Sequence, residues 1–120
     1  MYVGLIPDAL FARPSQRRPR ELHPFSADDN AYLYALRWSE WGGATAHADG
    51  KAIANDCDPD CADGTFVRAR GAHVTLFRRR EGRCNGDRAL FYTRALLHWP
   101  RKLRIRAFTV KLRTGCQAGG

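Results

Sequence analysis

Between residues 31 and 41 the chain alternates: Tyr32, Tyr34, Leu36 and Trp38 share one parity, with smaller or polar residues between them. A period of two sends successive side chains to opposite faces, so this pattern predicts a long strand rich in aromatic residues. Gly42 and Gly43 break it. Residues 44–55 are rich in alanine, which helix propensity alone would favour. The Asp49-Gly50-Lys51 signal between two alternating runs predicts strand, turn, strand instead.

Farther along, residues 66–70 and 73–79 each read as strand, and Gly71 between them marks a bulge. The segment E-G-R-C-N-G-D at residues 81–87 reads as a turn. Ala89, Phe91, Thr93, Ala95, Leu97 and Trp99 then form the apolar face of a second long strand, with Arg88, Arg94 and His98 opposite and Pro100 at its end. Leu103, Ile105 and Ala107 alternate with Arg104 and Arg106, after which Phe108, Val110 and Leu112 carry the apolar pattern on the other parity. Such a flip predicts a bulge or a strand crossing between sheets. Extended runs separated by Gly and Asp turns, without a long helical period, predict an all-β fold: an antiparallel β-sandwich or small barrel with disulfide-stapled loops.

With 120 residues the chain suffices for one core. Residues 1–20 end in R-P-S-Q-R-R-P-R, a basic, proline-punctuated stretch with no face to bury, and read as a disordered leader. Residues 21–114 are then the single all-β domain, and 115–120 a flexible tail. No run of eighteen apolar residues exists to span a bilayer.

Residues 55–64, N-D-C-D-P-D-C-A-D-G, concentrate cysteine, aspartate, proline and glycine in a stretch that can be neither helix nor strand. Four cysteines allow three pairings, which sequence does not separate; nearest-neighbour pairing is the preferred expectation. Cys57 with Cys61 would close about five residues, worth about 2 kcal/mol in the chain-entropy model, and Cys84 with Cys116 about 33, worth nearly 4 kcal/mol. Paired cysteines in so small a chain imply an oxidising compartment. The front end, M-Y-V-G-L-I-P-D-A-L-F-A, has no basic n-region and is broken by Pro7 and Asp8, so no export signal is visible. The cysteines favour a trimmed chain, or a start assigned too far downstream, over an internal protein with free thiols.

The formal charge of +8 and the pI near 9.9 invite a polyanion reading. Arginine supplies most of that charge, beside plentiful Ala, Gly and Asp, so part of it reflects a GC-rich coding sequence. The bases are also dispersed: some in the leader, a run from Arg78 to Arg80, and Arg101, Lys102, Arg104 and Arg106 along a late segment. Solvated faces are the commoner reason for such runs.

Taken together, W-S-E-W-G-G-A-T-A-H-A-D-G, N-D-C-D-P-D-C-A-D-G-T-F, the V-T-L segment at residues 74–76 and C-N-G-D-R-A-L-F-Y-T-R resemble a family of small secreted actinobacterial proteins of unknown function. The resemblance covers roughly residues 25–99. It implies export and assigns no catalytic residue. Ser26 stands where the family segment usually has cysteine, which leaves Cys84 needing another mate; Cys116 is the available one.

Asp56, Asp58, Asp60 and Asp63 raise a calcium loop, because hard cations want several converging oxygens. The EF-hand spacing fails: Cys61 sits where the sharp-turn glycine belongs and Val67 where the bidentate glutamate belongs. These acids read as turn formers. Structural zinc would draw on the cysteines with His23, His47, His73 and His98, but no second paired knuckle follows C-D-P-D-C. His73 and His98 read as surface histidines. No C-x-x-C redox motif, nucleophile elbow or phosphate-cradling glycine loop is present, and Glu40 beside Trp41 is one acid where glycoside chemistry needs two. Trp38 and Trp99 read as core, and Trp41, on the other parity, as a surface contact.

The reading is a secreted or cell-envelope β-domain, a binding or structural module and not an enzyme, needing no cofactor. Two alternatives stand beside it: a polyanion binder, for nucleic acid or an anionic envelope polymer, using Arg101, Lys102, Arg104 and Arg106 with residues 78–80, and a calcium loop at residues 56–63.

Overall fold

The computed structural model describes residues 1–4, 17–25 and 29–116. The strands are β1 (Tyr2–Val3), β2 (Ala31–Glu40), β3 (Ala46–Asn55), β4 (Phe66–Cys84), β5 (Asp87–His98) and β6 (Phe108–Lys111), with one 3-10 turn at Arg101–Leu103. They form a single six-stranded sheet in the order β1-β5-β4-β3-β2, and β6 also pairs with β5. All pairings are antiparallel except β1 with β5. The fold is all-β, as expected, and takes the form of one sheet curled into half a barrel.

The curl originates at residues forced into left-handed backbone. Ala35 of β2 has φ 52°, and the β2–β3 register shifts beside it. Gly71 of β4 has φ 99° and sits opposite a shift between Gly50 and Lys51, so it is the bulge the sequence predicts. Each extra residue bends its strand and raises the local twist. The β2 bulge also reverses parity: Ala31 and Leu33 are buried before it and Leu36 after it, while Tyr32 and Tyr34 are only half-buried. The simple alternation of Tyr32, Tyr34, Leu36 and Trp38 on one face is therefore corrected by a single inserted residue.

No hairpin forms at residues 49–51. Strand β3 runs unbroken from Ala46 to Asn55, and Gly50 meets the β2 bulge, where a Cβ would lie 2.8 Å from the Tyr34 carbonyl oxygen and 2.9 Å from Leu36 Cδ2. Glycine is there for close approach and not for a turn. Its neighbours Ala46, Ala48, Ala52 and Ala54 are all buried, and their small side chains leave room for Leu33, Leu36, Val74, Leu76, Leu97 and Tyr92 in the concavity of the curled sheet.

The predicted strands at 66–70 and 73–79 are parts of β4, a continuous 19-residue strand. It turns into β5 through Asn85 (φ 53°) and Gly86 (φ 89°), with Cys84 facing Asp87. Two positive φ values in a two-residue loop match the right-handed twist of the flanking strands, which is why Asn-Gly serves here. The turn is thus shorter than the predicted 81–87. Residues 103–107 do not form a strand: the chain makes the 3-10 turn, passes through Arg104 in left-handed conformation and enters β6 at Phe108.

Both ends of the described chain are tied in. Tyr2 and Val3 pair with Phe91 and Tyr92, Val3 is buried, and Tyr2 stacks on Phe91 at 5.5 Å. The Arg20 carbonyl accepts the Leu36 amide and the Pro19 carbonyl accepts Trp38 Nε1. The expected leader at 1–20 is therefore corrected for residues 1–4 and 17–20; residues 5–16 lie outside the described residues, as do Ser26 and residues 117–120. Cys116, placed in a flexible tail by the sequence reading, is buried and bonded to Cys84 across a separation of 32; Cys57 is bonded to Cys61, and no cysteine is free.

Candidate functional site

Arg78 lies in β4 with φ 57°, a conformation that costs a residue bearing a Cβ roughly 1–2 kcal/mol. What holds it is Thr93 across the ladder: the buried Thr93 hydroxyl donates to the Arg78 carbonyl at 2.6 Å. The Thr93 carbonyl in turn accepts the Leu112 amide at 2.9 Å, which lays the C-terminal segment beside β5. Gly82 keeps that segment close, since a Cβ there would stand 2.7 Å from Thr114 Cβ, and the Cys84–Cys116 bond fixes its end.

Between these pieces lies an open groove of about 480 Å³, lined by Arg78, Arg80, Thr93, Arg94, Leu112, Arg113 and Thr114. Three separate stretches of chain contribute four guanidiniums, and no carboxylate is among the described lining residues. Glu81, the nearest acid in sequence, pairs with Arg88 at 3.0 Å. Each guanidinium offers a planar fork of donors suited to phosphate, sulfate or carboxylate. Gathered with no acid among the described residues of the lining, they create a local positive potential in a concave setting, which concentrates anions.

Only part of this constellation is legible in the sequence. The run from Arg78 to Arg80 was visible, whereas Arg94 and Arg113 join it only through the β4–β5 register, which places Phe77 opposite Arg94, and the β5–β6 register, which places Arg94 opposite Lys111. Arg101, Lys102, Arg104 and Arg106 are all exposed on and after the 3-10 turn, and none lines the groove.

Trp41 is half-buried and meets Trp38 edge to face at 5.0 Å and Tyr92 at 5.4 Å. It packs at the mouth of the core and keeps part of its surface in solvent. Trp99 is buried, as its parity suggested, and stacks on Phe108.

In the cysteine loop the acids serve the backbone. Asp56 Oδ1 accepts the amides of Asp58 and Thr65, Asp60 Oδ1 accepts the amide of Asp63, and Asn55 binds the Cys57 amide with its oxygen and the Cys61 carbonyl with its nitrogen. Among the described residues no group of three or more His, Cys, Asp or Glu stands together to hold a metal ion, so Asp56, Asp58, Asp60 and Asp63 are not brought into a calcium cage. Also among the described residues, no helix is long and apolar enough to cross a membrane.

A second polar feature crosses the sheet. His47 of β3, His73 of β4 and His98 of β5 lie in a row, with ring centroids 5.6 Å apart for the first pair and 6.2 Å for the second. Both nitrogens of His47 face hydroxyls, of Thr45 and Thr75, while His73 Nδ1 meets Asp49 Oδ1 at 2.8 Å. Comparison with protein-family models, with curated proteins and with solved structures gave no match for this chain.

Proposed function

We propose that this chain is a binding module of an oxidising compartment, secreted or held in a cell envelope, whose ligand is an anionic polymer seated against the arginine groove. The observation that carries the reading is the convergence of Arg78, Arg80, Arg94 and Arg113 on one concave surface with no acid among the described residues that line it. Two disulfides fit an extracellular or otherwise oxidising environment. The described residues of the lining include no aromatic ring and so offer no platform for stacked bases, which favours a charged polysaccharide or polyphosphate chain over single-stranded nucleic acid. The buried hydroxyl in the groove, that of Thr93, is engaged with the backbone, in keeping with binding and not covalent chemistry.

The test compares two fourfold variants of equal charge. Affinity for heparin, and for an oligothymidylate as competitor, is measured against salt for the native protein, for R78Q/R80Q/R94Q/R113Q and for R101Q/K102Q/R104Q/R106Q. The groove variant is expected to lose at least tenfold in affinity and to flatten the log–log salt dependence by about 3 if each arginine meets one charge. The other variant should retain most of both. Equal losses would reduce the binding to net charge, and tighter binding of the oligothymidylate would transfer the reading to nucleic acid.

A further inference from the structure

Directly paired residues on neighbouring antiparallel strands carry their side chains on the same face with Cβ atoms about 5 Å apart. His73 and His98 are such a pair, and their rings lie tilted by 51° with centroids 6.2 Å apart. Asp49, the partner of His73 on the other side, binds its Nδ1 at 2.8 Å. A carboxylate on one ring nitrogen fixes tautomer and orientation and leaves Nε2 as the lone-pair nitrogen. It is the arrangement found behind histidines that ligate metals.

Exposure is also suitable. His98 is exposed, and the His73 side chain keeps 37% of its surface in solvent, so an ion can reach both rings without opening the core. His47, whose two nitrogens are taken by threonine hydroxyls, flanks the pair and closes one side. Two imidazole nitrogens with open solvent positions suit a tetragonal centre. Among divalent first-row ions such a site favours Cu2+.

We propose that His73 and His98, with Asp49 orienting His73, form a surface site for Cu2+ completed by water. The site is separate from the arginine groove and independent of its ligand. It uses no redox step; the ion is held as Cu2+.

Titration of the native protein with CuCl2 at neutral pH, followed by calorimetry and electron paramagnetic resonance, tests the assignment. One equivalent is expected to bind in the micromolar range with two-nitrogen coupling in the spectrum. Asp49→Asn should weaken binding about tenfold, and His98→Ala and His73→Ala should each lower affinity at least tenfold and remove one nitrogen from the coupling. His47→Ala should bind within a few-fold of native. All four positions lie on the outer surface of the sheet, and circular dichroism with a thermal melt verifies the fold of each variant. Binding unchanged in His73→Ala and His98→Ala, binding abolished by His47→Ala, or no uptake tighter than millimolar would overturn the proposal.

Discussion

The Tyr92 hydroxyl donates to the Gly43 carbonyl at 2.8 Å and accepts the Gly42 amide at 2.9 Å, so a ring rooted in β5 fastens the loop that leaves β2 on the far side of the sheet. Tyr92 is fully buried, and its ring meets Trp41. It is the bolt across the concave face, joining strands that share no ladder.

Removing that hydroxyl leaves two backbone groups without their partner. Tyr92→Phe is expected to cost about 1–3 kcal/mol, read as a fall of several degrees in Tm. Burial raises the Tyr92 pKa above its ordinary value, against smaller opposing effects of the Gly42 amide and the Arg79 charge. A raised folded-state pKa means the unfolded chain loses its proton first. The native protein therefore keeps this contribution below about pH 10 and loses it as pH climbs from there through the folded value. Tyr92→Phe should lack that alkaline component of destabilisation, which urea melts between pH 8 and 11 would resolve.

Gly50→Ala tests the close approach of β3 to the β2 bulge. The added methyl meets the Tyr34 and Ala35 carbonyls as well as Leu36. Because backbone atoms cannot rotate away, the expected loss is about 1–3 kcal/mol, whereas a true hairpin glycine on the surface would tolerate alanine with less cost. Denaturation midpoints of the variant and native protein decide between them.

The two disulfides should contribute unequally. Cys84→Ser with Cys116→Ser is expected to cost about 4 kcal/mol, and Cys57→Ser with Cys61→Ser about 2 kcal/mol, from the loop lengths each releases. Urea denaturation of the two double variants gives the order. The longer link also anchors the segment that carries Arg113, so its loss should weaken anion binding while loss of the shorter one leaves binding in place.

Thr93→Val separates geometry from charge in the groove. The substitution removes the hydroxyl that holds the Arg78 carbonyl in its left-handed turn, yet leaves every guanidinium present. Heparin affinity is expected to fall about threefold to tenfold, with the salt slope nearly unchanged. An unaltered affinity would show that Arg78's backbone conformation has no part in binding.

What was readable in the chain was local. The cysteine loop, the Gly71 bulge and the extended character of the segments are each written in a few adjacent residues. Asp49-Gly50-Lys51 misled because a hairpin signal and a glycine kept small for a facing bulge look alike from one strand alone. Likewise the parity of β2 depends on Ala35 adopting φ 52°, which nothing in its own side chain requires. The groove was illegible for the same reason: Arg94 and Arg113 stand apart from Arg78 in sequence, and only strand register and the Cys84–Cys116 link assemble them.

The most direct test of the anion-binding account is site-resolved: amide chemical shifts recorded while polyphosphate is titrated into the native protein at moderate salt. The account predicts saturable shifts centred on Arg78, Arg80, Thr93, Arg94, Arg113 and Thr114. Shifts confined to residues 101–106, or spread evenly over every exposed arginine, would contradict it.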